Sequence, residues 1–94
     1  MNLVAILTEF LGTFIFLSVI VVTGNPWAIG GTLALLALLA GSISGGHFNP
    51  AVTLMTLYNR GIGADNAAAY VVAQVAAGLL AVTAANQMKK RGVL

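Results

Sequence analysis

Apolar residues fall in three long runs along this chain, and most of the polar ones are gathered between them. Residues 3–24 carry a single ionisable side chain, Glu9. At ~1.5 Å rise per residue this run reaches ~30 Å, the thickness of a bilayer's hydrocarbon core, and predicts a first spanning helix. A signal peptide is the competing reading, but no basic residue precedes the run and Glu9 lies inside it. Gly24-Asn25-Pro26-Trp27 predicts a turn, with Trp27 suited to the membrane–water interface. Residues 28–43 hold no charge and predict a second span. Residues 66–87 predict a third, with Asp65 before them as a candidate N-cap. In that third run Ala73, Ala77, Ala81 and Ala85 recur every four positions, a smooth face for close helix contact. Residues 88–94 form a tail whose Lys89, Lys90 and Arg91 belong in water beside the headgroups.

The stretch 44–60, which opens Ser-Gly-Gly-His-Phe-Asn-Pro-Ala, breaks the pattern. Ser44 to Phe48 is polar and glycine-rich and reads as extended chain; at ~3.3 Å per residue it reaches ~16 Å, about half the core. Asn49 as N-cap and Pro50 as first helical residue then start a helix to Asn59, again ~16 Å long. Gly61 is the candidate C′ residue, and Arg60 suits the negative end of the helix dipole. Equal arms predict a chain that dives to the midplane, turns at Asn49-Pro50 and returns to the same side. Irregular backbone at that depth is tolerated only within protein or along a water-filled cavity. Three spans and one re-entrant loop place the termini on opposite faces.

Composition turns this pattern into a class. The chain is 60% hydrophobic and 6% charged, with a mean hydropathy of +1.01, where a soluble domain is about a quarter charged. That excludes a soluble enzyme and a nucleic-acid binder, and with no cysteine it excludes a disulfide-stapled domain. The pI near 9.5 rests on four basic residues and does not argue for a polyanionic partner. What remains is a single-domain, all-α, multi-pass integral membrane protein.

Two kinds of residue carry candidate chemistry. The half-helix aims its free N–H groups and positive dipole end at the membrane centre, and the Asn49 amide offers a further donor to a passing solute. Such a pole repels cations and hydronium while admitting neutral hydrogen-bonding molecules. Glu9, ionisable within a span, is either a proton-coupled binding carboxylate or an acceptor for the exposed N–H groups of Ser44–Phe48; the irregular backbone favours the second. Gln74 is the matching candidate in the third span, on one face with Tyr70 and Gly78. His47, alone in a polar loop, reads as a hydrogen-bonding brace. The sequence offers no metal cluster, nucleophile–base pair, phosphate loop or cofactor motif, so no enzyme is expected.

The run Ser44-Gly45-Gly46-His47-Phe48-Asn49-Pro50-Ala51-Val52-Thr53 resembles the first Asn-Pro-Ala loop of the major intrinsic protein family, the aquaporins and glycerol facilitators. Thr8-Glu9-Phe10-Leu11-Gly12-Thr13-Phe14 resembles that family's first-helix signature, and Tyr70 to Gly78 its third. The resemblance implies half of the family's right-handed helical bundle: three spans plus a re-entrant half-helix. It implies bracing by Glu9 and Gln74, a pore role for Asn49, and a polar stripe from the carbonyls of Gly45, Gly46, His47 and Phe48.

Family members join two inverted halves in one chain, whereas this sequence matches the first half. The arginine that usually follows the second Asn-Pro-Ala has no equivalent, because the position three after Asn49 is Val52. An antiparallel homodimer, or a higher oligomer built from it, would complete the pore. The resemblance then puts Ile29 of one copy at the constriction with Ala37, Gly46 and Val52 of the other. With no cation at either mouth, the expected conduit is wide enough for water and neutral solutes such as glycerol, in a cell or inner membrane. A non-conducting fragment, a partner for another half-chain and a small dual-topology transporter using Glu9 are the competing readings.

Overall fold

The computed structural model describes residues 1–94 and is entirely helical outside its turns, in the order α1 (Leu3–Thr23), α2 (Pro26–Ala40), α3 (Pro50–Tyr58) and α4 (Ala64–Lys90). Asparagines open three of the four helices. Asn2 Oδ1 accepts from Ala5 N, Asn25 Oδ1 from Trp27 N and Ala28 N, and Asn49 Oδ1 from Ala51 N. Proline follows two of these caps, as Pro26 and Pro50, where its missing N–H costs nothing. Gly24, left-handed at φ 55°, ends α1.

α1 and α4 are long and apolar enough to cross a bilayer, and α2 is a shorter apolar helix of 15 residues. They pack through small residues. Ala67, Ala73, Ala77, Ala81 and Ala85 of α4 are buried, and so are Ala5, Gly12 and Thr13 of α1. Asn2 N donates to Asn66 Oδ1 at 2.9 Å, which sets the N-terminal ends of α1 and α4 side by side. The two helices therefore run parallel, and the chain's termini lie at opposite ends. α1 touches α2 and α4, α4 touches α3, and α2 and α3 make no contact, so the helices form an open row α2–α1–α4–α3.

Only 15 of 94 residues are buried. Leu38, Leu39, Leu54, Val72 and Leu79 are among the large apolar side chains left exposed. Such a surface is stable against lipid and not against water.

Several boundaries differ from those the sequence suggests, each for a local reason. The second helix begins at Pro26 and takes in Trp27, because Asn25 caps both Trp27 and Ala28. Its regular part stops at Ala40, though Ser44 N still donates to Ala40 O and Gly45 N to Gly41 O. Ser44 is thus part of a helical turn rather than extended chain. The arm after it is not extended either: Gly45, Gly46 and Phe48 have φ of 92°, 62° and 54°. α3 ends at Tyr58, and the left-handed residue is Arg60 (φ 62°), not Gly61. Gly61 N closes the end on Thr56 O, and a Cβ there would come within 2.9 Å of Thr56 Cγ2. α4 begins at Ala64, capped by Gly63 without a side-chain bond; Asp65 lies in its first turn rather than at the N-cap. At the far end Lys89 and Lys90 occupy the last helical turn, so the tail proper starts at Arg91.

Candidate functional site

The loop from Gly45 to Asn49 crosses the middle of the row. Gly12 is the tenth residue of the 21 in α1, close to its midpoint, and the Phe48 ring lies against it: a Cβ on Gly12 would fall 2.1 Å from Phe48 Cε1. Phe48 is 2% exposed, which pins the turn into α3 at mid-height. α3 then returns toward the end where α4 and α1 begin, so its N-terminus points at the membrane centre.

Glu9 organises this backbone. It is fully buried. Oε2 accepts from Ser44 Oγ at 2.7 Å and His47 N at 3.0 Å; Oε1 accepts from Phe48 N at 2.8 Å and Gln74 Nε2 at 3.0 Å. Gln74 Nε2 also donates to Thr53 Oγ1 at 2.9 Å, which lies 2.9 Å from His47 Nδ1. Tyr70 OH donates to Ser44 O at 2.7 Å, and its ring meets the His47 ring edge-on at 5.1 Å between centroids. Two buried oxygens have no partner, Thr13 Oγ1 and Gln74 Oε1.

The result is a one-sided loop. The remaining donors are met too: Gly45 N by Gly41 O and Gly46 N by Ser44 Oγ. Every N–H from Gly45 to Phe48 is therefore engaged inside the chain, whereas none of the four carbonyls accepts a bond from it. At the tip, Asn49 is exposed and uses Oδ1 for its cap, and its Nδ2 donates to nothing within the chain. A row of free acceptors thus leads to a free donor at the positive end of a half-helix.

Comparison with known proteins identifies the family. The sequence model of the family described as Major intrinsic protein matches residues 1–93. The chain belongs to that family. It is 44% identical over 84 residues to the glycerol uptake facilitator protein-like 6 of Lactiplantibacillus plantarum, covering 80% of this chain and 39% of that protein. It is 34% identical over 97 residues to the probable aquaporin PIP2-6 of Oryza sativa subsp. japonica, covering 83% of this chain and 34% of that one. To the probable aquaporin PIP2-8 of Arabidopsis thaliana it is 38% identical over 87 residues, covering 74% and 31%. The chain thus spans well under half the length of these curated relatives. No solved structure matches it. As a major intrinsic protein it is an integral membrane protein of a channel family.

The constriction positions named from the sequence fall in two groups. Gly46 and Ala37 are adjacent, a Cβ on Gly46 standing 3.2 Å from Ala37 Cα. Ile29 lies two turns away along α2, ~12 Å from Ala37 at helical rise. Val52 sits on α3, which does not touch α2. Pro50 and Val52 are half-buried and Ala51 is exposed. Phe48 takes two parts, its ring in the core and its carbonyl free.

Sequence reasoning passed over Ser44 and Tyr70 as braces, Thr53 as the link from Gln74 to His47, and Gly12 as the seat of Phe48. For Gly12 a signal existed, a lone glycine inside an apolar span. The others depend on contacts across 21 to 35 residues.

Proposed function

We propose that this chain forms half of a passive conduit for water and small neutral solutes such as glycerol, completed by a second copy in inverted orientation. The observation that carries the reading is the one-sided loop: donors held by Glu9 and Ser44, carbonyls free, and the Asn49 amide at the tip. Free acceptors at that depth belong along a water-filled path or against further protein, and the open α2–α1–α4–α3 row leaves the side that a path would need unclosed. An inverted copy closes it and sets two half-helix N-termini facing each other. Ile29 of one copy then joins Ala37, Gly46 and Val52 of the other. That apolar, uncharged ring favours a wider opening than a strict water filter, in keeping with the glycerol facilitator among the relatives.

The arrangement of Glu9 speaks against a proton-coupled carrier using this residue. Its two oxygens already accept four bonds and it has no exposed surface, so a substrate finds no free side of the carboxyl. Stopped-flow swelling of proteoliposomes tests the proposal. Water and glycerol entry should exceed that of protein-free vesicles and be indifferent to a proton gradient. Entry at the lipid rate overturns the homodimeric conduit, and uptake driven by the gradient favours the carrier.

A further inference from the structure

His47 is the chain's only histidine, and counting hydrogens around it places its ring proton. Gln74 Nε2 has two hydrogens, and distance assigns both: 3.0 Å to Glu9 Oε1 and 2.9 Å to Thr53 Oγ1. The reversed amide would set an oxygen against the carboxyl of Glu9 and turn the NH2 to the buried position that has no partner, leaving its hydrogens without an acceptor. Thr53 Oγ1 is therefore an acceptor from Gln74, and its own hydrogen needs a destination. Thr53 has no exposed surface, so solvent does not supply one. Besides Gln74, its hydroxyl has one polar partner, His47 Nδ1 at 2.9 Å. A ring nitrogen that accepts a hydrogen bond carries no proton, so the neutral ring bears it on Nε2.

We propose that Glu9, Gln74 and Thr53 form a directed relay that holds His47 as its Nε2–H tautomer. The Nε2–H has no partner within the chain and the ring is half-exposed. It is a neutral donor beside the free carbonyls of Gly45 to Phe48. Gln74 and Thr53 act as positioning residues, and the edge-on Tyr70 ring limits rotation of the imidazole. A stripe offering both acceptors and an oriented donor suits solutes that donate and accept at once, such as water and polyols. That last step rests on the conduit reading; the tautomer does not.

Nitrogen-15 magnetic resonance of the full chain in lipid tests it, and a single histidine needs no assignment. At about pH 9 the neutral ring should show one form, with Nδ1 unprotonated. A through-space correlation should link Nδ1 to the protected Thr53 hydroxyl proton. In Gln74→Leu and in Thr53→Val, which keeps the side chain's shape, the Nδ1–H form should rise several-fold. A wild-type ring protonated on Nδ1, or variants with the wild-type tautomer ratio, overturns the relay. If the variants do not fold, the wild-type correlation decides, and its absence counts as refutation. Since the spectra need no flux, a chain that conducts nothing sinks the conduit and leaves the tautomer standing.

Discussion

At Glu9 the fold depends on the number of lone pairs one side chain presents to donors that cannot turn away. Two of its four partners are backbone N–H groups, of His47 and Phe48. Glu9→Gln replaces one accepting oxygen with a donor and leaves at least one of them unpaired. An unpaired buried donor costs about 1–3 kcal/mol, so thermal melts in detergent should show a clear loss of stability. Two threonines make a sharper contrast. Thr53 Oγ1 has two partners and Thr13 Oγ1 none, though both side chains are buried. Thr13→Val should be neutral or stabilising in the same melts, because no hydrogen bond is lost, while Thr53→Val should destabilise. At Gly12 space decides. Gly12→Ala sets a methyl into the Phe48 ring, and overpacking of this kind costs about 1–3 kcal/mol. The carboxyl at position 9 was legible as a brace because irregular backbone needs acceptors. Which atoms it would meet was not, since those partners lie 35 to 65 residues away.

Among the elements, α3 shows how much a short segment can state for itself. Asn49-Pro50 announces a helix start, and Asn49 Oδ1 caps Ala51 N at 2.8 Å. Asn49→Asp keeps a good cap but brings a negative charge to the dipole's positive end. If that pole is what excludes cations, proton or cation leak through liposomes should rise; unchanged leak would count against the dipole account. The other end of α3 was less legible. Arg60 and Gly61 both fit a helix terminus, and the choice of Arg60 for the left-handed position follows from the approach of Gly61 to Thr56. Likewise the alanine spacing on α4 marked a packing face, and α1 is the helix that occupies it.

For the whole molecule, both ends carry positive charge, and the tail carries more of it. Arg60, Asp65 and the amino terminus lie at one end, where Met1 N approaches Asp65 Oδ2 at 3.9 Å on an exposed surface, a pair of small worth. Lys89, Lys90 and Arg91 lie at the other. Counting basic residues places the tail inside. A pore from inverted copies requires both orientations in one membrane. The chain has no cysteine, so Ala64→Cys and Val93→Cys each supply a unique label at opposite ends. Impermeant reagents should reach each site from both sides of the membrane. Labelling of each from one side alone would remove the inverted pair and with it the homodimeric pore.

The sequence by itself determined the helical membrane class, the helix start at Asn49, the alanine face and the loop motif. Those signals are local: a cap, a proline, a run length or a four-residue spacing acts within a turn or two of the chain. Only the tertiary structure decided that Glu9 divides its bonds between Ser44, His47, Phe48 and Gln74, that Phe48 enters the core against Gly12, and that α2 and α3 remain apart. Each of these is a choice among many chemically equivalent partners, and it is made by distance, which exists only once the helices are packed.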